Sequence, residues 1–78
     1  MALGYVLIIA APTHEHEVYN KLSKIPEIIE LLPLFGEYDL FAKIEAEDFE
    51  KLGGVVISKI RSIEGIIDTK TLTWPKIL

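Results

Sequence analysis

In the stretch LFGEYDLF, a glycine is followed by a tyrosine held between two carboxylates, Gly36-Glu37-Tyr38-Asp39. A carboxylate pair can divide acid and base work between its members. No serine or cysteine nucleophile stands beside a histidine, however, and no phosphate-cradling glycine loop accompanies the pair. Catalysis is therefore not the expectation. Turn chemistry accounts for Gly36, which can take positive φ, and for Asp39, whose side chain can bond nearby amides. It gives no reason for Tyr38. The only histidines, His14 and His16, are spaced as H-x-H, which chelates a metal when both rings leave one face of a strand. Here they fall at the start of a helical pattern, far apart around its axis, and no cysteine or third histidine completes a site. A solvated helix terminus is expected. Thr69, Thr71 and Thr73 place three hydroxyls on one face of a strand, where β-propensity on an exposed surface explains them.

The elements that must position these groups follow from the hydrophobic period. Residues 3 to 10 form an unbroken apolar run closed by Pro12, expected as a strand covered on both faces. From Thr13, a candidate N-cap, Val18, Leu22 and Ile25 recur at helical spacing, with Glu15 and Glu17 near the positive end of the helix dipole. Pro26 stops this helix. EIIELLPLF reads as a second strand, and Pro33 inside it, unable to donate to a ladder, marks an edge. DLFAKIEA alternates Leu40, Ala42 and Ile44 against Phe41, Lys43 and Glu45, a third strand joined to the second by a short connection. A second helical stripe carries Phe49, Leu52, Val56, Ile60 and Ile63, with Glu47 and Asp48 at its start. Gly53-Gly54 in its middle implies either a bend or the close approach of another backbone. After Gly65, IIDTKTLTW supplies the last strand, with Trp74 and Pro75 as packing or termination.

Strand, helix, strand, strand, helix, strand is the α+β ferredoxin-like βαββαβ order, a four-stranded antiparallel sheet with both helices on one face. The first strand is nevertheless apolar on both faces, so the second sheet face needs a cover. With 78 residues and no cysteine, the chain is one small domain that buries about 60 to 65% of its unfolded surface and has no disulfides to stabilise it. A partner sheet hiding a few hundred Å² at about 25 cal/mol per Å² would gain on the order of ten kcal/mol gross, so a dimer or larger assembly is expected. A net charge of −4 and pI near 5.0 oppose nucleic-acid binding. The N-terminal apolar run falls short of the roughly 20 residues of a membrane span, and no basic segment precedes it as in a signal peptide, so a cytoplasmic protein is expected. The chain has no glutamine and one asparagine, a composition of hot-living sources.

Several motifs in order, YVLIIAAPTHEHEVYNKLSKIPEI, GEYDLFAKIEAEDFEKL and IRSIEGIIDTKTLT, resemble the ligand-binding domain of the Lrp/AsnC family of transcription regulators, known as RAM for regulation of amino acid metabolism. The likeness covers nearly the whole chain, and G-x-Y-D falls on Gly36, Tyr38 and Asp39. Regulators of the family carry an N-terminal helix-turn-helix domain. Here the first strand begins almost at Met1, so the resemblance implies a stand-alone RAM domain over residues 1–78 with no DNA-reading part. It also implies sheet-to-sheet dimers that assemble further, often as a ring of four dimers, and association with full-length regulators. An amino acid effector would bind where dimers meet, at Gly36, Glu37, Tyr38 and Asp39 together with Thr69 and Thr71. Backbone amides around Gly36 would receive its carboxylate and Asp39 its ammonium, with Tyr38 as a wall and hydroxyl. No cofactor or metal is implied. Phe35 stands where many members have threonine. The alternative is a small dimeric α+β barrel enzyme with its site between the sheets.

Overall fold

The first strand, β1, runs Ala2–Ala10 with strictly alternating burial: Ala2, Gly4, Val6, Ile8 and Ala10 point into the core, while Leu3, Tyr5, Leu7 and Ile9 stay half-exposed on the other face. The computed structural model describes residues 1–73. Trp74 and Pro75 lie outside the described residues. The chain continues as α1 (Glu15–Leu22), β2 (Ile28–Pro33), β3 (Leu40–Ala46), α2 (Phe49–Val55) and β4 (Ile66–Thr73).

The sheet order is β2-β3-β1-β4, antiparallel throughout, which is the ferredoxin-like arrangement expected from the sequence. β2 lies at an edge, where Pro33 removes no ladder bond that a neighbour needs. A bulge between Ile28 and Glu30 turns Ile29 out to half exposure. The core lies between the sheet and the helices: Val6, Ile8, Ala42 and Ile44 from the central strands meet Val18 and Leu22 of α1 and Leu52 and Ile60 beyond it, all essentially inaccessible.

The two helices depart from the sequence reading in detail. Thr13 does not cap α1. His14 occupies the N-cap position with no side-chain cap, and Thr13 sits at φ 71, a left-handed conformation that a β-branched residue adopts only under strain. Ile25 packs against the core from beyond the end of α1 rather than within it. Asp48 does cap α2, accepting from the Lys51 amide at 2.8 Å, and Glu47 pairs with Lys51. Phe49 is exposed at 43% instead of joining the core stripe, since it is the first helical residue and sits at the rim of a shallow depression with Met1 and Ala2.

After Val55 the helix widens into a π turn, Val56–Ile60, closed by a hydrogen bond of 2.8 Å from the Arg61 amide to the Val56 carbonyl. Gly53 and Gly54 lie near the end of α2, with Val55 between them and the π turn. A Cβ added to either would meet nothing within 4 Å, so no backbone approaches them. The Ser58 hydroxyl donates to the Gly54 carbonyl at 2.6 Å, a back-bond of the kind that bends helices. Close approaches by side chains occur instead at Gly4, where an added Cβ would lie 3.0 Å from Leu52, and at Gly65, where it would lie 3.0 Å from Val18.

Candidate functional site

The connection Leu34–Asp39 is fastened by backbone and side chain together. The Leu34 amide donates to the Asp39 carbonyl, and the Asp39 amide donates to the Ile8 carbonyl, each at 2.8 Å. The Asp39 carboxylate then accepts the Ala10 amide through Oδ2 at 2.8 Å, so this side chain secures the end of β1. Its Oδ1 makes no hydrogen bond among the described residues. Gly36 adopts φ 113 with open space around its Cβ position, so conformation and not crowding requires glycine there. Glu37 is exposed and Tyr38 half-buried, while the Phe35 ring stands fully in solvent at 106%.

The βαββαβ path brings the start of α1 to the same end of the molecule as this connection. Between them lies an open groove of about 500 Å³. Glu15, His16 and Tyr19 of α1 form one wall; Pro33, Leu34 and Phe35 form the other, with Asp39 and Leu40 at its base. Neither Glu15 nor Asp39 has a cationic partner: the ion pairs among the described residues join Lys51 to Glu47 and Lys59 to Glu27. The Lys59 ammonium hydrogen-bonds Glu27 and holds its carboxyl below the usual range. His14 and His16 are both exposed, and His14 Nδ1 lies 3.2 Å from the Pro12 carbonyl. Among the described residues no cluster of three or more metal-ligating side chains occurs.

Of the six residues that the sequence marks for a ligand, Asp39 alone lines the groove. Thr69 lies across β1, in a smaller depression of about 160 Å³ with Arg61 and Asp68. It pairs with Ile8 from one side while the Asp39 amide bonds Ile8 from the other, a separation of about 10 Å at ordinary strand spacing. Thr69 and Thr71 share the helix-side face with Ile8 and Val6, yet Thr71 is exposed because β4 is the edge strand. One chain therefore does not gather all six. Sequence reading missed Glu15, His16 and Tyr19, which became neighbours of Asp39 through topology alone.

The sheet face opposite the helices is the second feature. Directly opposed residues share a face in an antiparallel pair, so Leu7 and Phe41, Tyr5 and Leu72, and Leu32 opposite Phe41 all point outward together with Leu3 and Ile9. The Tyr5 and Phe41 rings stack at 5.6 Å with 26° between planes. Charged residues frame this apolar centre: Glu30, Lys43 and Glu45 on one side, Asp68 and Lys70 on the other. No helix of the described residues is long and apolar enough to cross a membrane.

Residues 4–74 match the family model for the Lrp/AsnC ligand binding domain. The helix-turn-helix-type transcriptional regulator FL11 of Pyrococcus furiosus, an archaeal thermophile, is 35% identical over 75 residues, 96% of this chain and 49% of FL11. The chain spans about half or less of the regulators it matches, between 39% and 49% of their length. Among solved structures, FFRP-DM1 superimposes with a TM-score of 0.92 at 33% identity over 96% of this chain and 100% of that one. Escherichia coli AsnC does so with a TM-score of 0.87 at 26% identity, covering 99% of this chain and 54% of AsnC.

Proposed function

The chain belongs to the Lrp/AsnC ligand binding domain family, and from that premise we propose that it is a cytoplasmic, oligomeric and non-enzymatic module that binds a free amino acid between subunits. The observation that carries the reading is the uncovered apolar sheet face centred on Tyr5, Leu7 and Phe41. A soluble monomer rarely leaves such a patch open, and a second copy offers a complementary one by symmetry. Dimers formed through this face would associate further, as four dimers in a ring, and would bring Thr69 and Thr71 of one subunit toward the Gly36–Asp39 connection of another.

In such a cleft the amides beside Gly36 receive the ligand carboxylate, and Asp39 uses its unengaged Oδ1 for the ammonium while Oδ2 keeps the Ala10 amide. Glu37 and the Tyr38 hydroxyl supply further polar contacts. The module would act on transcription by biasing its own assembly, alone or mixed with full-length relatives such as FL11. On this reading the chain acts as a RAM domain, and DNA reading falls to the full-length relatives.

A ligand that binds only the assembled form stabilises it by about 2.7 kcal/mol at a hundredfold excess over Kd. Native mass measurement and melting scans against the twenty amino acids test this: a rise in melting temperature with at least one amino acid, accompanied by a change in assembly, is expected. No shift with any of them removes the effector reading.

A further inference from the structure

We propose that the second helix carries a further self-association surface, a stripe of Phe49, Gly53, Ile57 and Arg61 that crosses the same stripe of another copy in antiparallel fashion. Leu52, Val56 and Ile60 enter the core at four-residue steps. The residues that follow them, Gly53, Ile57 and Arg61, therefore share the adjoining flank, and Phe49 begins it one turn earlier. Lys59 lies on the other flank, where it reaches Glu27 between α1 and β2. The stripe thus faces away from α1 and toward β4, and Arg61 shares a depression with Ile67 and Thr69. Among the described residues nothing covers it: Ile57 is 64% exposed, Phe49 and Arg61 are exposed, and the Cβ position of Gly53 opens on empty space.

Shape and charge specify a second copy as the occupant. Gly53 leaves a gap between two large apolar side chains, and a two-fold axis between positions 53 and 57 seats the other copy's Ile57 in that gap, once from each side. A glycine at the crossing lets two helix backbones approach closely. The same axis brings the Phe49 ring and the Glu50 carboxylate of one copy to the Arg61 guanidinium of the other. Neither Glu50 nor Arg61 takes part in an ion pair among the described residues, so an acid in the first turn meets a base beyond the last, with an aromatic face beside it. Four residues offer less than the roughly 800 Å² per partner of a stable interface. The contact therefore joins subunits already held through the sheet face, which lies opposite the helices and stays free for its own partner. To that extent the inference rests on the oligomeric reading above; it needs no amino acid ligand.

Sedimentation velocity and native mass measurement on the full chain compare wild type with Ile57→Glu, Gly53→Leu and Leu7→Glu, with circular dichroism to check each fold. Wild type is expected to form a species larger than the dimer. Ile57→Glu, a change at an exposed position, and Gly53→Leu, which fills the gap, should both lose that species and stop at the dimer. Leu7→Glu, on the sheet face, should lose the dimer itself. The chain has no cysteine, so Gly53→Cys combined with Ile57→Cys should give a covalent two-chain product on oxidation, whereas Lys24→Cys, exposed beyond the end of α1, should not. A larger species that survives both Ile57→Glu and Gly53→Leu, or a cysteine pair that yields no more product than Lys24→Cys, overturns the inference and leaves the sheet contact in place. A wild type that stays a dimer and is broken by Leu7→Glu does the same. A dimer broken by Ile57→Glu and untouched by Leu7→Glu keeps the helix contact and removes the sheet contact, and a monomer at every concentration removes both.

Discussion

Asp39 carries one observed role and one proposed role: its Oδ2 accepts from the Ala10 amide, and under the proposed function its Oδ1 receives the ammonium of the ligand. Replacing it by alanine removes a charged acceptor from a partly buried amide and should cost about 1 to 2 kcal/mol in denaturant unfolding. Asp39→Asn keeps an oxygen for the Ala10 amide, so it should stay folded while losing affinity for an ammonium-bearing ligand; equal instability of the two variants would show that charge, not acceptance, holds β1. Thr13 presents the opposite case, a residue that the fold tolerates at a strained φ of 71. Thr13→Gly should raise stability by about 1 kcal/mol, the relief of strain exceeding the greater freedom of glycine in the unfolded chain, and a thermal midpoint reads it directly.

The second helix is two pieces, α2 and the π turn, with a glycine pair near the end of α2 whose Cβ positions face open space. Both glycines have ordinary helical φ signs and room for a methyl group. Gly53→Ala or Gly54→Ala should therefore stabilise the protein by up to about 1 kcal/mol. A loss of stability would mean that the π turn needs the glycine backbone. The same segment is tied to the start of β2 by Lys59, whose Nζ lies 2.9 and 3.0 Å from the two Glu27 oxygens. Because Lys59 depresses the Glu27 pKa in the folded state, the pair contributes stability above the ordinary value of 4.5 and loses it as pH falls through the lower folded value. The stability difference between wild type and Glu27→Gln should accordingly be present near neutral pH and vanish well below 4.5.

At the scale of the whole molecule, the proposed assembly rests on the outward sheet face. Leu7 lies at its centre opposite Phe41, half-exposed and outside the core. Leu7→Glu should leave the circular dichroism of the fold intact and shift sedimentation to the monomer; an unchanged assembly would place the contact elsewhere. The order of elements, the edge position of β2 from Pro33, the apolar set Leu40, Ala42 and Ile44 on one face of β3 and the acids Glu47 and Asp48 at the start of the second helix were all legible in the sequence; that Asp48 caps α2 was not. Each follows from a period or a backbone constraint that acts within a few residues. The glycine in the G-x-Y-D connection was legible for the same reason, as its φ of 113 confirms. The sequence did not reveal that Asp39 binds Ala10, that Glu15, His16 and Tyr19 stand beside it, or that Thr69 and Thr71 lie two strands away. Nor did it place the close approach at Gly4 or the strain at Thr13. These are relations between segments far apart in the chain, and only the closing of the sheet and the seating of the helices upon it bring such segments to fixed distances. Local preference determined which elements form and which face each buries; tertiary packing decided what those faces meet.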